Sequence, residues 1–267
     1  MKIDRSDRCC EKVLLMAHRG GEGEWPSNTI YAFQQAVTLG ADVLELDIQA
    51  TRDGALVVRH DPFVESTTNG KGFIRDLTLE EIKQLDAGYT WTADGGLSFP
   101  FRGMGITIPT LEEVLQAFPT AHLNIDIKPE DSRVVAPFVD LLKRYDRAAQ
   151  VMVGSFHDRQ LRLFRQLCPQ VATAAGVRET LGLLLLNKVG LQAAYRARAQ
   201  AFQIPEYYGQ LRVVTPGFIE AAHAKRMQVH IWTVDEAADM HRLIEWGVDG
   251  LITNYPTRLK MVLEAGG

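Results

Sequence analysis

Glu45 and Asp47 stand two residues apart in a segment that alternates apolar and polar side chains over residues 43–48. In an extended chain, residues two apart point the same way. Both acids therefore share one face, and Leu44, Leu46 and Ile48 share the other. Thr51-Arg52-Asp53-Gly54 reads as a turn, and residues 55–59 as a returning strand that delivers His60 towards the same place. Carboxylate oxygens suit a hard divalent cation, and an imidazole moves protons near neutral pH. Taken alone, the stretch also fits a polar strand face with a satisfied histidine.

The elements that would hold these groups follow a regular rhythm. Short apolar runs at 13–17, 42–48, 123–127, 151–154, 171–174, 201–204, 229–234 and 250–253 read as strands, and helix-period segments separate most of them. Eight strands alternating with helices predict an α/β fold, a (β/α)8 TIM barrel. The 55–59 strand is then the extra arm of a hairpin after strand 2. Residues 62–109, rich in Gly, Thr and Asp with one helix expected at 79–85, form an insertion. The reading is of a single domain over 1–267 with a loose tail at 1–12. A doubly wound open sheet is the alternative, but the chain has no glycine-rich dinucleotide fingerprint.

In such barrels the active site lies at the C-terminal ends of the strands. Strand 1 ends in His18-Arg19, strand 2 carries Glu45 and Asp47, the hairpin returns His60, and strand 3 ends in Asp126 and Lys128. Unpaired charges are costly in a core, so this convergence favours a site. Three carboxylates suit a divalent metal. Arg19 and Lys128 match the charge of a phosphate. Two histidines supply a base and an acid for one displacement. A glycosidase needs two carboxylates but not this cationic pair.

Composition narrows the class. Of 267 residues, 46% are hydrophobic and 23% charged, ordinary for a globular chain. A net charge of −4 offers no basic field to nucleic acid. No apolar run is long enough to cross a bilayer, and the N-terminal residues lack the apolar middle of a signal peptide. Cys9, Cys10 and Cys168 show no zinc spacing and read as reduced thiols. The expected location is the cytoplasm.

The sequence resembles the glycerophosphodiester phosphodiesterase family. The matching stretches are His18-Arg19-Gly20, Pro26-Ser27-Asn28-Thr29, Glu45-Leu46-Asp47 through Thr51-Arg52-Asp53-Gly54, and Arg59-His60-Asp61. Ile108-Pro109-Thr110-Leu111, Ile125-Asp126-Ile127-Lys128, Trp232-Thr233-Val234 and Asp249-Gly250 complete the series, in the family's order along nearly the whole chain. The resemblance implies hydrolysis of a small-molecule glycerophosphodiester to sn-glycerol 3-phosphate and an alcohol. It implies a divalent cation, Mg²⁺ or Ca²⁺, on Glu45, Asp47 and a third carboxylate on the Lys128 strand. It implies His18 and His60 as the acid–base pair, Arg19 and Lys128 on the phosphate, and the 62–109 insertion framing the glycerol end. Two departures stand out. The third carboxylate is commonly Glu in the family and is Asp126 here, and Asp235 stands where Asn is common.

Alternative readings accompany these. A lysophospholipase D would need an apolar groove, expected along 62–109. A non-catalytic phosphate-binding barrel would not need both histidines. Trp232, at a strand end, is read as a substrate wall. Asn28 is read as a helix cap and loop brace. His122, His223 and His241 are read as surface or packing histidines and His230 as structural, with His157 nearer the barrel mouth. The leucine run at 181–186 fits a core-facing helix or partner contact better than a membrane contact.

Overall fold

The computed structural model describes residues 12–266. Cys9, Cys10 and nearly all of the expected tail lie outside the described residues. Strand β1 (Leu14–Ala17) leads into a tight turn and α1 (Ile30–Leu39). Strand β2 (Val43–Ala50) then doubles back as β3 (Leu56–Val58). After α2 (Leu79–Lys83) and α3 (Leu111–Ala117), the chain continues as β4 (His122–Ile127), α4 (Val135–Arg144), β5 (Val151–Gly154) and α5 (Asp158–Leu167). Next come β6 (Ala172–Thr173), α6 (Val177–Lys188) and β7 (Ala201–Pro205). A small hairpin, β8 (Tyr207–Tyr208) and β9 (Leu211–Arg212), precedes α7 (Pro216–His223) and β10 (Gln228–Trp232). The last elements are α8 (Ala237–Glu245), β11 (Gly250–Thr253) and α9 (Pro256–Ala265).

The large sheet runs β6-β5-β4-β2-β1-β11-β10-β7, with β3 antiparallel to β2. An Ala174–Ala201 parallel bridge joins its two ends, so the eight parallel strands form a barrel as expected. The strands expected from sequence are all present, with shifted ends. The β8–β9 hairpin was not expected, and α2 stops before Leu85.

Helix starts follow local chemistry. Thr110 caps α3 and Glu113 reaches back in a capping box, so the Ile108-Pro109-Thr110-Leu111 stretch is a helix-start signal. Thr29, not Asn28, caps α1 by accepting from Ala32 N. The barrel's outer layer packs as two clusters. One holds Phe33, Leu115, Phe138 and Phe164, and the other Leu183, Phe202, Phe218 and Met240. The 62–109 insertion has its own small core of Val64, Ile74, Ile82, Ala87 and Ile108, packed against Val57.

Candidate active site

The site is built on the C-terminal ends of β1, β2 and β4. After β1 the chain turns at His18-Arg19-Gly20, with Arg19 and Gly20 at positive φ. A Cβ on Gly20 would stand 2.8 Å from Ala32 Cβ, so glycine lets α1 approach the turn. The turn brings Arg19 N within 2.9 Å of Glu45 Oε2 and His18 Nε2 within 4.0 Å of the same oxygen. Asn28, also at positive φ, donates through Nδ2 to Asp47 Oδ2 at 3.0 Å. Asn28 is therefore a brace for a site carboxylate and not the helix cap.

Parallel register sets Asp47 beside Asp126 and Glu45 beside Asn124. Lys128 lies over the first pair, its Nζ 2.7 Å from Asp126 Oδ2 and 3.0 Å from Asp47 Oδ1. Arg19 Nε is 3.4 Å from Asp47 Oδ2. Asp47 is wholly buried beneath these cations, while His18, Arg19, Glu45, His60, Asp126 and Lys128 line a cavity of about 500 Å³. Trp232 forms part of its wall, edge-on to Phe156 with centroids 5.7 Å apart.

Burial pushes the Glu45 carboxyl well above its ordinary range, and Asp47 adds to the effect. Burial alone would also raise Asp47, but Lys128 and Arg19 outweigh it and hold that carboxyl down. Burial likewise raises Asp126, with Lys128 pulling the other way. The Lys128 ammonium is disfavoured by burial, yet Asp126 and Asp47 hold it protonated. Burial and then Arg19 lower His18.

The two imidazoles have different partners. His18 Nδ1 is 2.6 Å from Asn254 Oδ1, and Asn254 Nδ2 donates to Asp235 Oδ2 at 2.8 Å. His60 Nδ1 is 2.8 Å from Asp61 Oδ1. Asp61 Oδ2 in turn accepts from Ser66 Oγ at 2.5 Å and lies 3.5 Å from Arg59 Nη2. Arg59 N donates to Asp47 O, and Gln49 Nε2 to His60 O, which fixes the hairpin's return. Asp235 stood out in the sequence only as a departure from the family's Asn, and the contact of Asn254 with His18 needs the first and last strands to be neighbours.

The whole barrel end matches one family. A model of the glycerophosphoryl diester phosphodiesterase family matches residues 18–258. The chain belongs to this family. It is 36% identical to a glycerophosphodiester phosphodiesterase of Caldanaerobacter subterraneus, over 96% of this chain and all of that one. A lysophospholipase D of Rattus norvegicus is 30% identical over 93% of this chain and 85% of its own length. Among solved structures, a Silicibacter pomeroyi protein described as a glycerophosphoryl diester phosphodiesterase superposes with a TM-score of 0.79 at 26% identity, covering 96% of this chain and 95% of that one.

The family's expected cation can be tested against these side chains. Glu45, Asp47 and Asp126 offer only oxygen donors, which suit a hard cation. Asp47 Oδ1 is buried and makes no hydrogen bond, although Lys128 Nζ is close in distance. Among the described residues, no three His, Cys, Asp or Glu side chains are spaced to enclose an ion as they stand. The donor set fits in kind, and the Lys128 ammonium lies between Asp47 and Asp126. Elsewhere, His223 pairs with Asp249, His230 is buried beside Gln203, and His122 is exposed. No residue of 62–109 lines the cavity; Trp91 instead braces the site turn by donating to Glu22 O.

Proposed function

We propose that this chain hydrolyses glycerophosphodiesters to sn-glycerol 3-phosphate and an alcohol, with His18 as the base and His60 as the acid. The observation that carries the reading is the pair of differently partnered imidazoles at one charged cavity end. His18, on a neutral amide, is suited to receive a proton. His60, on the Asp61 carboxylate, has its ring held through Nδ1, which leaves Nε2 to face the leaving alcohol.

Glu45, Asp47 and Asp126 would hold Mg²⁺ or Ca²⁺. When bound, such an ion neutralises phosphoryl charge and acidifies an adjacent hydroxyl. Arg19 and Lys128 bind the phosphate oxygens and orient the diester. His18 Nε2 takes the proton of the glycerol C2 hydroxyl, whose oxygen attacks the neighbouring phosphorus. The bond from phosphorus to the alcohol breaks, and His60 gives that oxygen its proton. Water then opens the resulting cyclic phosphate, with His60 receiving the water's proton and His18 returning one to the C2 oxygen. Holding the nucleophile beside phosphorus can lower a barrier by about 7–11 kcal/mol in favourable intramolecular cases.

The test is a panel of glycerophosphodiesters assayed for glycerol 3-phosphate release with and without chelator. A substrate with hydrogen in place of the C2 hydroxyl should bind but turn over orders of magnitude more slowly. Cleavage of it at the parent rate would replace the cyclic route by direct attack of water. Turnover undiminished in excess chelator would remove the cation from the reaction.

A further inference from the structure

Arg19 shares its guanidinium with an acid that the reaction above does not use. Arg19 Nη1 donates to Glu22 Oε2 at 2.8 Å, and the same oxygen lies 3.8 Å from His18 Nδ1. On its other side, Arg19 Nε is 3.4 Å from Asp47 Oδ2. Glu22 does not line the cavity, and its side chain is 36% exposed. An incoming phosphate thus meets a guanidinium that already carries a carboxylate from outside the cavity.

The chain fixes this acid in place. Glu22 N donates to His18 O, and Glu22 O accepts from Trp91 Nε1 at 3.0 Å. Gly23 N donates to Asn254 O. A Cβ on Gly23 would stand 2.6 Å from Tyr255 Cε1, so glycine lets the turn lie against that ring. Glu24, the next acid of the turn, is engaged elsewhere, on Thr257 N and Oγ1. Backbone ties on both sides of Glu22 therefore hold its side chain within reach of Arg19.

The charge of the ligand changes during the reaction. A phosphodiester carries one negative charge. Cleavage yields a phosphomonoester whose second pKa is about 6, so at neutral pH it carries nearly two. A carboxylate at the phosphate's arginine repels both species, and it repels the product about twice as strongly.

We propose that Glu22 is a specificity-determining residue, whose carboxylate weakens the site's hold on a doubly charged phosphomonoester more than on a singly charged phosphodiester and so favours release of the product. The proposal rests on the phosphodiesterase reading for the position of the phosphate at Arg19 and Lys128. A mere brace for Arg19 would act with the opposite sign, because its loss would weaken the binding of every anion.

Glycerol 3-phosphate and glycerol 3-sulfate test this without turnover, since they share a shape and differ by one charge at pH 8. Their affinities are measured by calorimetry. Removing a unit charge about 5 Å away, at an effective dielectric constant of about 80, changes affinity by about fourfold for each charge on the ligand. Glu22→Gln should therefore tighten glycerol 3-sulfate about fourfold and glycerol 3-phosphate about fifteenfold. Glu22→Ala should move both in the same direction, and serves if the glutamine variant does not fold as judged by circular dichroism. Glu22→Asp, which keeps the charge, should restore a phosphate-to-sulfate ratio near the parent's. During hydrolysis of glycerophosphocholine, the inhibition constant of glycerol 3-phosphate should fall more than KM does. An unchanged phosphate-to-sulfate ratio in both uncharged variants overturns the proposal, and so does weaker binding of both anions. If the parent hydrolyses glycerophosphocholine while the ratio stays unchanged, only the role of Glu22 fails. If the parent releases glycerol 3-phosphate from no diester, the phosphodiesterase reading fails and this proposal fails with it.

Discussion

Asp235 Oδ2 accepts a 2.8 Å hydrogen bond from Asn254 Nδ2 and thereby decides which atom of that amide faces His18. A carboxylate offers only acceptors, so the amide nitrogen must face it and the amide oxygen must face His18 Nδ1. Nδ1 then carries the hydrogen of the neutral ring, and Nε2 keeps the lone pair a base needs. Asp235 is itself anchored by Thr253 Oγ1 and Asn254 N. The Asp found where the family commonly has Asn thus has a defined task.

Asp235→Ala should let the amide turn over and mix the two His18 tautomers. The ¹⁵N shifts of His18 should move from a single pattern to an average, and kcat/KM should drop about tenfold or more. Asp235→Asn, which keeps an acceptor oxygen, should lose less. A single tautomer in the alanine variant would show that something else orients the amide.

The pH profile of kcat/KM should carry an acid limb below 6.5, because burial and then Arg19 lower His18. The sign is fixed by linkage: the folded chain prefers neutral His18, so its contribution to stability is complete above 6.5. It is lost as pH falls from 6.5 towards the lowered value. Arg19→Met should shift the limb upward. A limb at or above 6.5 in the parent enzyme would count against His18 as the base.

Asp126 can be tested by calorimetric titration with Mg²⁺ or Ca²⁺. Asp126→Ala should weaken cation binding by about tenfold or more, and Asp126→Glu, with a longer reach past Lys128, should retain it. If the alanine variant binds like the parent, Lys128 is the only partner that matters to this carboxylate.

Far from the cavity, Arg147 is buried and donates to Phe118 O at 2.7 Å and to Ala121 O. It closes the turn between α3 and β4, the strand that carries Asp126 and Lys128. Arg147→Met should lower stability by about 2–4 kcal/mol, since it leaves buried carbonyls without donors. Denaturant melts would measure this; a loss below 0.5 kcal/mol, small for such a change, would mean water takes the guanidinium's place.

Much of this was legible from sequence where periodicity and burial agree. The alternation at 43–48 placed Glu45 and Asp47 on one face, and β2 indeed carries both into the site. The returning arm to His60 was legible from the turn at 51–54. Other features depend on register, which a single strand does not encode. Lys128 sits between two acids only because β2 and β4 pair Asp47 with Asp126. The β8–β9 hairpin escaped because two-residue strands have no period to detect. The leucine run of α6 was ambiguous for a related reason: apolar residues on both faces give no hint of which face is covered.

His18 and Asn254 are 236 residues apart in sequence, joined because β1 lies beside β11. The proposed acid–base pair is consequently complete only after the last barrel strand has been made. While the ribosome is still making the chain, Glu45, Asp47, Asp126 and Lys128 can gather on early strands, but His18 has no Asn254 to fix its ring until the eighth parallel strand has emerged. At ordinary elongation rates of about 5–20 residues per second, that delay is of order ten seconds or more. A nascent chain of this design gathers Arg19 and Lys128 long before it can fix the His18 ring, so on the proposed mechanism catalysis begins only once the barrel has closed.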